Sequence, residues 1–132
     1  MLITSISGIR GTIGGTEGEG LTPHDIVRFA TGYASWVKSA SGQDQPTVVV
    51  GRDARLSGEL VRDCLVGTLN AMGVNVLDLG LSTTPTVELA VPAESAAGGI
   101  ILTASHNPKQ WNALKLLGPA GEFLNAAEGE RV

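Results

Sequence analysis

Leu2 to Ser7 mixes apolar and polar residues in the manner of a short strand and breaks at Gly8 into a glycine-rich loop. A helix follows. Thr22 is placed to cap it, Pro23 takes the first helical position, and Asp25 stands three residues beyond the cap, where a carboxylate satisfies free amides. Ile26, Phe29, Ala30, Tyr33 and Val37 recur at helical spacing and predict one buried face. The polar, breaker-rich stretch 39–46 connects to a second strand at 47–51, whose Val48, Val49 and Val50 suit burial on both faces.

A second helix is predicted to begin at Ser57, which caps it, with Val61, Leu65, Thr68, Leu69 and Met72 inward and Gly73 as its stop. A third strand is predicted over 74–79, which completes a βαβ unit. Thr84 and Pro85 open a short helix carrying Val87, Leu89 and Ala90, and 98–103 reads as a fourth strand. Residues 113–117 and 122–124 flank Gly118, Pro119 and Gly121, the pattern of a β-hairpin. Helical character resumes at Asn125 with Ala126, Ala127, Glu128 and Glu130. The alternation predicts a three-layer α/β/α sandwich around a mostly parallel, mixed sheet of about four strands, with a small β-hairpin beside it.

Composition narrows the classes. At 132 residues the chain is one domain's worth, and with 42% apolar and 17% charged residues it belongs among globular proteins. The net charge of −4 argues against nucleic acid or an anionic membrane as partner, since such binding rests on surplus Lys and Arg. No apolar run approaches the roughly 20 residues of a membrane span, and the amino terminus lacks the pattern of a signal peptide, so a cytoplasmic location is expected. The single cysteine, Cys64, falls on the apolar stripe with Leu60, Val61 and Leu65 and reads as a core thiol. His24, in the first turn of the first helix, reads as solvated. The glycines at 11–20 form neither a Gly-Lys-Ser phosphate loop nor a dinucleotide fingerprint. Two histidines, one cysteine and no Asp-x-Asp cluster do not make a closed zinc or magnesium site.

The most informative segment is Thr103-Ala104-Ser105-His106-Asn107-Pro108, directly behind the apolar run 98–102. Ligands of an open α/β sheet bind beyond the carboxyl ends of its parallel strands, where 7–11, 51–57, 80–84 and 103–108 can converge. Ser105 there suits an acyl-transfer nucleophile or a phosphoryl carrier. The Gly-x-Ser-x-Gly elbow of a hydrolase is missing, and His106, adjacent in sequence, is badly placed to serve as base for the same hydroxyl. A phosphoryl carrier needs cations instead. Arg10, between Gly8 and Gly11, offers a bidentate guanidinium, and Lys115 a point charge. Arg52, Asp53 and Arg55 fit either ligand contact or an ion pair that shapes the crevice.

Taken in order, Ser7-Gly8-Ile9-Arg10-Gly11, Gly51-Arg52-Asp53-Ala54-Arg55-Leu56-Ser57 and Thr103 to Pro108, with Asn112 and Lys115 downstream, resemble the first domain of the α-D-phosphohexomutases. The resemblance runs from Ile3 to Leu124. Trp111 and Ala113 stand where the family has tyrosine and glycine, and Thr4-Ser5 where it has Phe-Gly, which leaves the subfamily open.

The resemblance implies that residues 1–132 are domain I of a four-domain enzyme and that the chain stops inside the helix leading to domain II. It implies a magnesium-dependent mutase interconverting hexose 1-phosphate and hexose 6-phosphate through a hexose bisphosphate. Ser105 is then the phosphoserine, contributing one oxygen to Mg2+, whose other ligands lie in domain II. By the same resemblance, Arg10 and Lys115 face the transferring phosphoryl group, and His106 and Asn107 line the pocket. Domains II to IV and a hexose phosphate are the implied partners, with no turnover by this domain alone. A non-catalytic sugar-phosphate binding or interaction module is the alternative reading, and a serine hydrolase a distant third.

Overall fold

The computed structural model describes residues 2–5, 8–14, 19–104 and 110–132. Its elements run β1 (Leu2–Ser5), β2 (Gly8–Thr12), α1 (Pro23–Ser41), β3 (Thr47–Arg52), α2 (Gly58–Ala71), β4 (Asn75–Leu81), α3 (Thr84–Ala93), β5 (Gly98–Leu102), β6 (Trp111–Leu117) and α4 (Ala126–Arg131). The strands form one six-stranded sheet in the order β1-β2-β6-β5-β3-β4. β3 lies parallel to both β4 and β5, whereas β6 is antiparallel to β5 and β2, and β1 to β2. The sheet is therefore mixed, as the sequence suggests.

Alternation along the central strands feeds two cores. Val48, Val50, Ile100, Leu102, Leu114 and Leu116 join Ile26, Tyr33 and Val37 of α1 and Val61, Leu65 and Leu69 of α2 in the larger cluster. Val49, Ile101 and Leu117 point the other way and pack on Val87 and Val91 of α3. Because both faces of β3 and β5 are covered, these strands are apolar throughout. α3 lies mainly against β3 and β5. No helix of the described residues is long and apolar enough to cross a membrane.

The entry to α1 forms as its sequence dictates. Thr22 Oγ1 accepts from the Asp25 amide at 3.4 Å, the Asp25 carboxylate accepts from the Thr22 amide at 3.1 Å, and Pro23 follows the cap. The helix ends on Gly42 with φ 67°, in the left-handed conformation.

Five expectations require correction. Gly8 to Gly11 is no loop but part of β2, because β1 and β6 supply ladder partners on both sides and Ile9 turns into the core at 2% exposure. The predicted hairpin arm over 113–117 is β6, inserted between β5 and β2. The return toward Leu124 runs antiparallel to the end of β6 through the bridge Leu117 to Phe123 and the bonds Gly118 N to Glu122 O and Leu124 N to Leu116 O, but forms no full strand, so the sheet has six strands rather than four and a separate hairpin. Ser57 precedes α2 but makes no side-chain cap, its backbone being already helical. Leu89 is 71% exposed, since α3 turns Val87 and Val91 to the sheet. Leu60 is largely exposed, and Cys64 only half-buried at the rim of the larger core.

Candidate active site

Arg10 and Lys115 come together through strand register. Lys115 pairs with Gly8, and Arg10 with Ala113, one pleat further along the same ladder. Residues two apart on a strand share a face, and so do directly paired residues. Arg10, Ala113 and Lys115 thus project from the face that carries α3, where the sheet beyond that helix has none of the α1–α2 covering. A cleft of about 360 Å³ opens there, lined by both cations with Ile3, Ser5, Gly8 and Phe123 among others. Arg10 is exposed and Lys115 half-buried.

Gly8 makes this register possible. At φ 150° it approaches β6 so closely that a Cβ in its place would overlap the Leu114 carbonyl oxygen. Glycine is required by strand approach, not by a turn.

Ser105, His106 and Asn107 lie outside the described residues, as do Ser7, Pro108 and Lys109. The chain on either side of 105–109 is described. The segment after β3 grips both flanks. The Thr103 hydroxyl donates to Asp53 Oδ2 at 2.6 Å, and the Asp53 amide donates to the Leu102 carbonyl at 3.1 Å. Arg55 Nε donates to the same Oδ2 at 3.2 Å, and its Nη1 reaches the Trp111 carbonyl at 3.2 Å. Ser57 Oγ accepts from Asn112 Nδ2 at 2.9 Å, which is what this side chain does instead of capping α2. The Thr103 amide donates to Ala113 O at 3.2 Å, so the two flanks are also laddered to each other.

Sequence reasoning leaves Asp53 and Arg55 between two roles, assigns none to Thr103, and gives Ser57 only the cap of the second helix. Burial separates them. Among the described residues, the buried polar side chains are Thr22 and Asp25, which form the α1 cap, and Thr103 and Asn112, which flank 105–109. A polar residue at each end of a motif, needing a partner once buried, is a signal the sequence does carry.

Comparison with known proteins identifies the family. Residues 2–132 match phosphoglucomutase/phosphomannomutase, alpha/beta/alpha domain I. The chain belongs to the phosphoglucomutase/phosphomannomutase family. A phosphoglucomutase/phosphomannomutase of Thermococcus kodakarensis is 40% identical over 116 residues, covering 86% of this chain and 25% of the relative. A phosphoglucosamine mutase of Pediococcus pentosaceus is 41% identical over 113 residues, covering 84% and 25%. The solved structure of a protein assigned as a phosphomannomutase from Thermus thermophilus superposes with a TM-score of 0.85 at 30% identity, covering 98% of this chain and 28% of that one.

This domain I therefore spans about a quarter of the length of the curated relatives it matches. Its relatives carry the names of hexose mutases of more than one kind, in keeping with a sequence that leaves the subfamily open.

Proposed function

We propose that this domain carries the phosphoserine of a hexose phosphate mutase, with Ser105 as the phosphoryl carrier. The observation that supports the reading most directly is the ladder register that sets Arg10 and Lys115 side by side on one open sheet face. In sequence, Ser105 stands three residues beyond β5 and ahead of β6, the strand that bears Lys115.

In the proposed reaction the bond between the Ser105 oxygen and phosphorus breaks as phosphorus bonds to a free hydroxyl oxygen of a hexose monophosphate, whose proton passes to the seryl oxygen, leaving a bisphosphate and a serine hydroxyl. The bisphosphate turns over, and its other phosphoryl group returns to Ser105. Arg10 holds phosphoryl oxygens with a bidentate fork, and Lys115 balances their charge, both terms gaining strength where water is excluded. His106 and Asn107 line the same pocket in this proposal.

Among the described residues, no group of three or more His, Cys, Asp or Glu side chains gathers to hold a metal. The described residues do not fit a magnesium site by themselves. The proposal assigns Mg2+ to the Ser105 phosphate oxygen and to ligands from domain II. Domains II to IV complete the enzyme, the hexose phosphate is its substrate, and the setting is cytoplasmic.

The test is intact-mass measurement of the full-length protein with and without Ser105→Ala, alongside mutase assays on glucose, mannose and glucosamine phosphates. The wild type should carry a phosphate-sized mass that the variant lacks, and the variant should be inactive. Activity that survives the substitution, with no change in phosphate mass, rejects the reading in favour of a module that binds without this chemistry.

A further inference from the structure

We infer that Asp53 is a positioning residue for the Ser105 segment, acting through Thr103 on one flank and through Arg55 on the other. The inference rests on the phosphoserine reading for its catalytic consequence, though not for its geometry.

The carboxylate is committed to the protein. Oδ1 accepts from the Arg55 amide at 3.1 Å, and Oδ2 accepts from both the Thr103 hydroxyl at 2.6 Å and Arg55 Nε at 3.2 Å. Arg55 in turn spends Nη1 on the Trp111 carbonyl. The Arg55 side chain is only 12% exposed, and that of Asp53 32%. An anion in this position would repel a phosphate, while as a hydrogen-bond acceptor it holds a hydroxyl two residues ahead of Ser105. Whatever fixes Thr103 and Trp111 fixes the two roots from which residues 105–109 depart. A third tie runs from the segment after β3 to the second flank, where Asn112 Nδ2 donates to Ser57 Oγ.

Thr103 is itself buried, so its hydroxyl needs a partner there. Asp53 supplies it across 50 residues of sequence, from the neighbouring parallel strand's end. A displaced root misaligns a phosphoryl carrier without altering what the pocket binds, and small displacements of a reacting group are costly.

The experiment compares Asp53→Asn, Thr103→Val, the double variant and Ser105→Ala in the full-length protein. Steady-state kinetics and amide hydrogen exchange are measured at Ala104 and at Gln110 to Asn112. Each single variant should lower kcat by about tenfold or more while KM moves less than about threefold, and the double should cost no more than the worse single, since the bond that Thr103→Val removes is among those that Asp53→Asn weakens. Exchange at the flanking amides should accelerate in Asp53→Asn and in Thr103→Val. Thr103→Val keeps shape and removes only the hydroxyl, so it decides the matter even where Asp53→Asn folds poorly. A rise in KM at constant kcat overturns the inference by making Asp53 a substrate contact. Unchanged flanking exchange, or multiplying single effects, overturns it as well. Full activity in Ser105→Ala together with accelerated exchange in Asp53→Asn rejects the phosphoserine reading while the anchoring role stands.

Discussion

The hydroxyl of Tyr33, at the middle of α1, donates to the carbonyl of Leu117, the last residue of β6, at 2.6 Å. The Gly99 carbonyl lies at 3.2 Å from the same oxygen. Tyr33 is fully buried, and Gly98 leaves the room it needs, since a Cβ there would overlap the hydroxyl oxygen and come within 2.9 Å of Leu117 O. A helix is thereby pinned to the pair of strands that lead into and out of the Ser105 segment.

Tyr33→Phe removes the donor while keeping the ring, and should cost about 1–1.5 kcal/mol of unfolding free energy, because a buried hydrogen bond is lost. Gly98→Ala adds one methyl at the same place and should cost a similar or larger amount, of order 1–3 kcal/mol or more, by overpacking. Urea denaturation of both variants measures this. Equal stability of Tyr33→Phe and wild type would show that the bond adds nothing.

Burial pushes the Tyr33 phenol well above the ordinary tyrosine range, with a backbone hydrogen bond at Gly99 opposing the effect and Glu128 adding to it. The folded state therefore holds this proton more tightly than the unfolded chain. Its contribution is complete below the unfolded value of about 10 and declines as pH rises beyond it. The stability difference between wild type and Tyr33→Phe should be constant from pH 6 to about 9.5 and shrink above about 10. Denaturant titrations across that range test the sign.

Arg10 is exposed on β2, so removing its side chain should leave the fold intact. In the full-length enzyme, Arg10→Ala should lower kcat by about 10²-fold, the scale of losing one preorganised group at a developing charge. Arg10→Lys should recover only part, because an ammonium keeps the charge and loses the fork. Thermal melting that coincides with wild type, beside reduced turnover, is the expected pair of results. Full activity of Arg10→Ala would remove it from the site.

Gly8→Ala should behave differently. The added Cβ overlaps Leu114 O, and φ of 150° is strained for alanine. Separation of β2 from β6 should destabilise by about 1–3 kcal/mol and displace Arg10 relative to Lys115. Unfolding free energy and turnover should therefore fall together, in contrast to Arg10→Ala.

At the amino end of α1, Thr22→Ala removes an acceptor for the Asp25 amide and a hydroxyl that donates to Asp25 Oδ2 at 2.6 Å. A loss of about 1 kcal/mol is expected, read as a lower urea midpoint with unchanged slope.

Local chemistry was enough for much of this molecule. The Thr22 cap, the three valines of β3, the Gly73 stop and the alternation of helix and strand are legible because each depends on neighbours within a few residues. The mixed α/β architecture follows from them, and the ordered motifs around Arg10, Asp53 and Ser105 carry the family. Leu89 and Leu60 show the limit: helical spacing marks them as inward candidates, but the extent of the sheet beneath each helix decides whether anything lies there to bury them.

The tertiary structure alone decided what pairs at long range. Gly8 to Gly11 has the composition of a loop, and it becomes a strand only because β1 and β6 satisfy its backbone groups from both sides. β6 reads locally as one arm of a hairpin, yet its hydrogen bonds go to β5 and β2, which builds the face where Arg10 and Lys115 stand together. Asp53 and Thr103 are 50 residues apart, and no local pattern states that one carboxylate oxygen will accept from both Thr103 and Arg55. Hydrophobic periodicity specifies which side of an element is buried; strand order and register, set by the packing of the whole sheet, specify which polar groups meet.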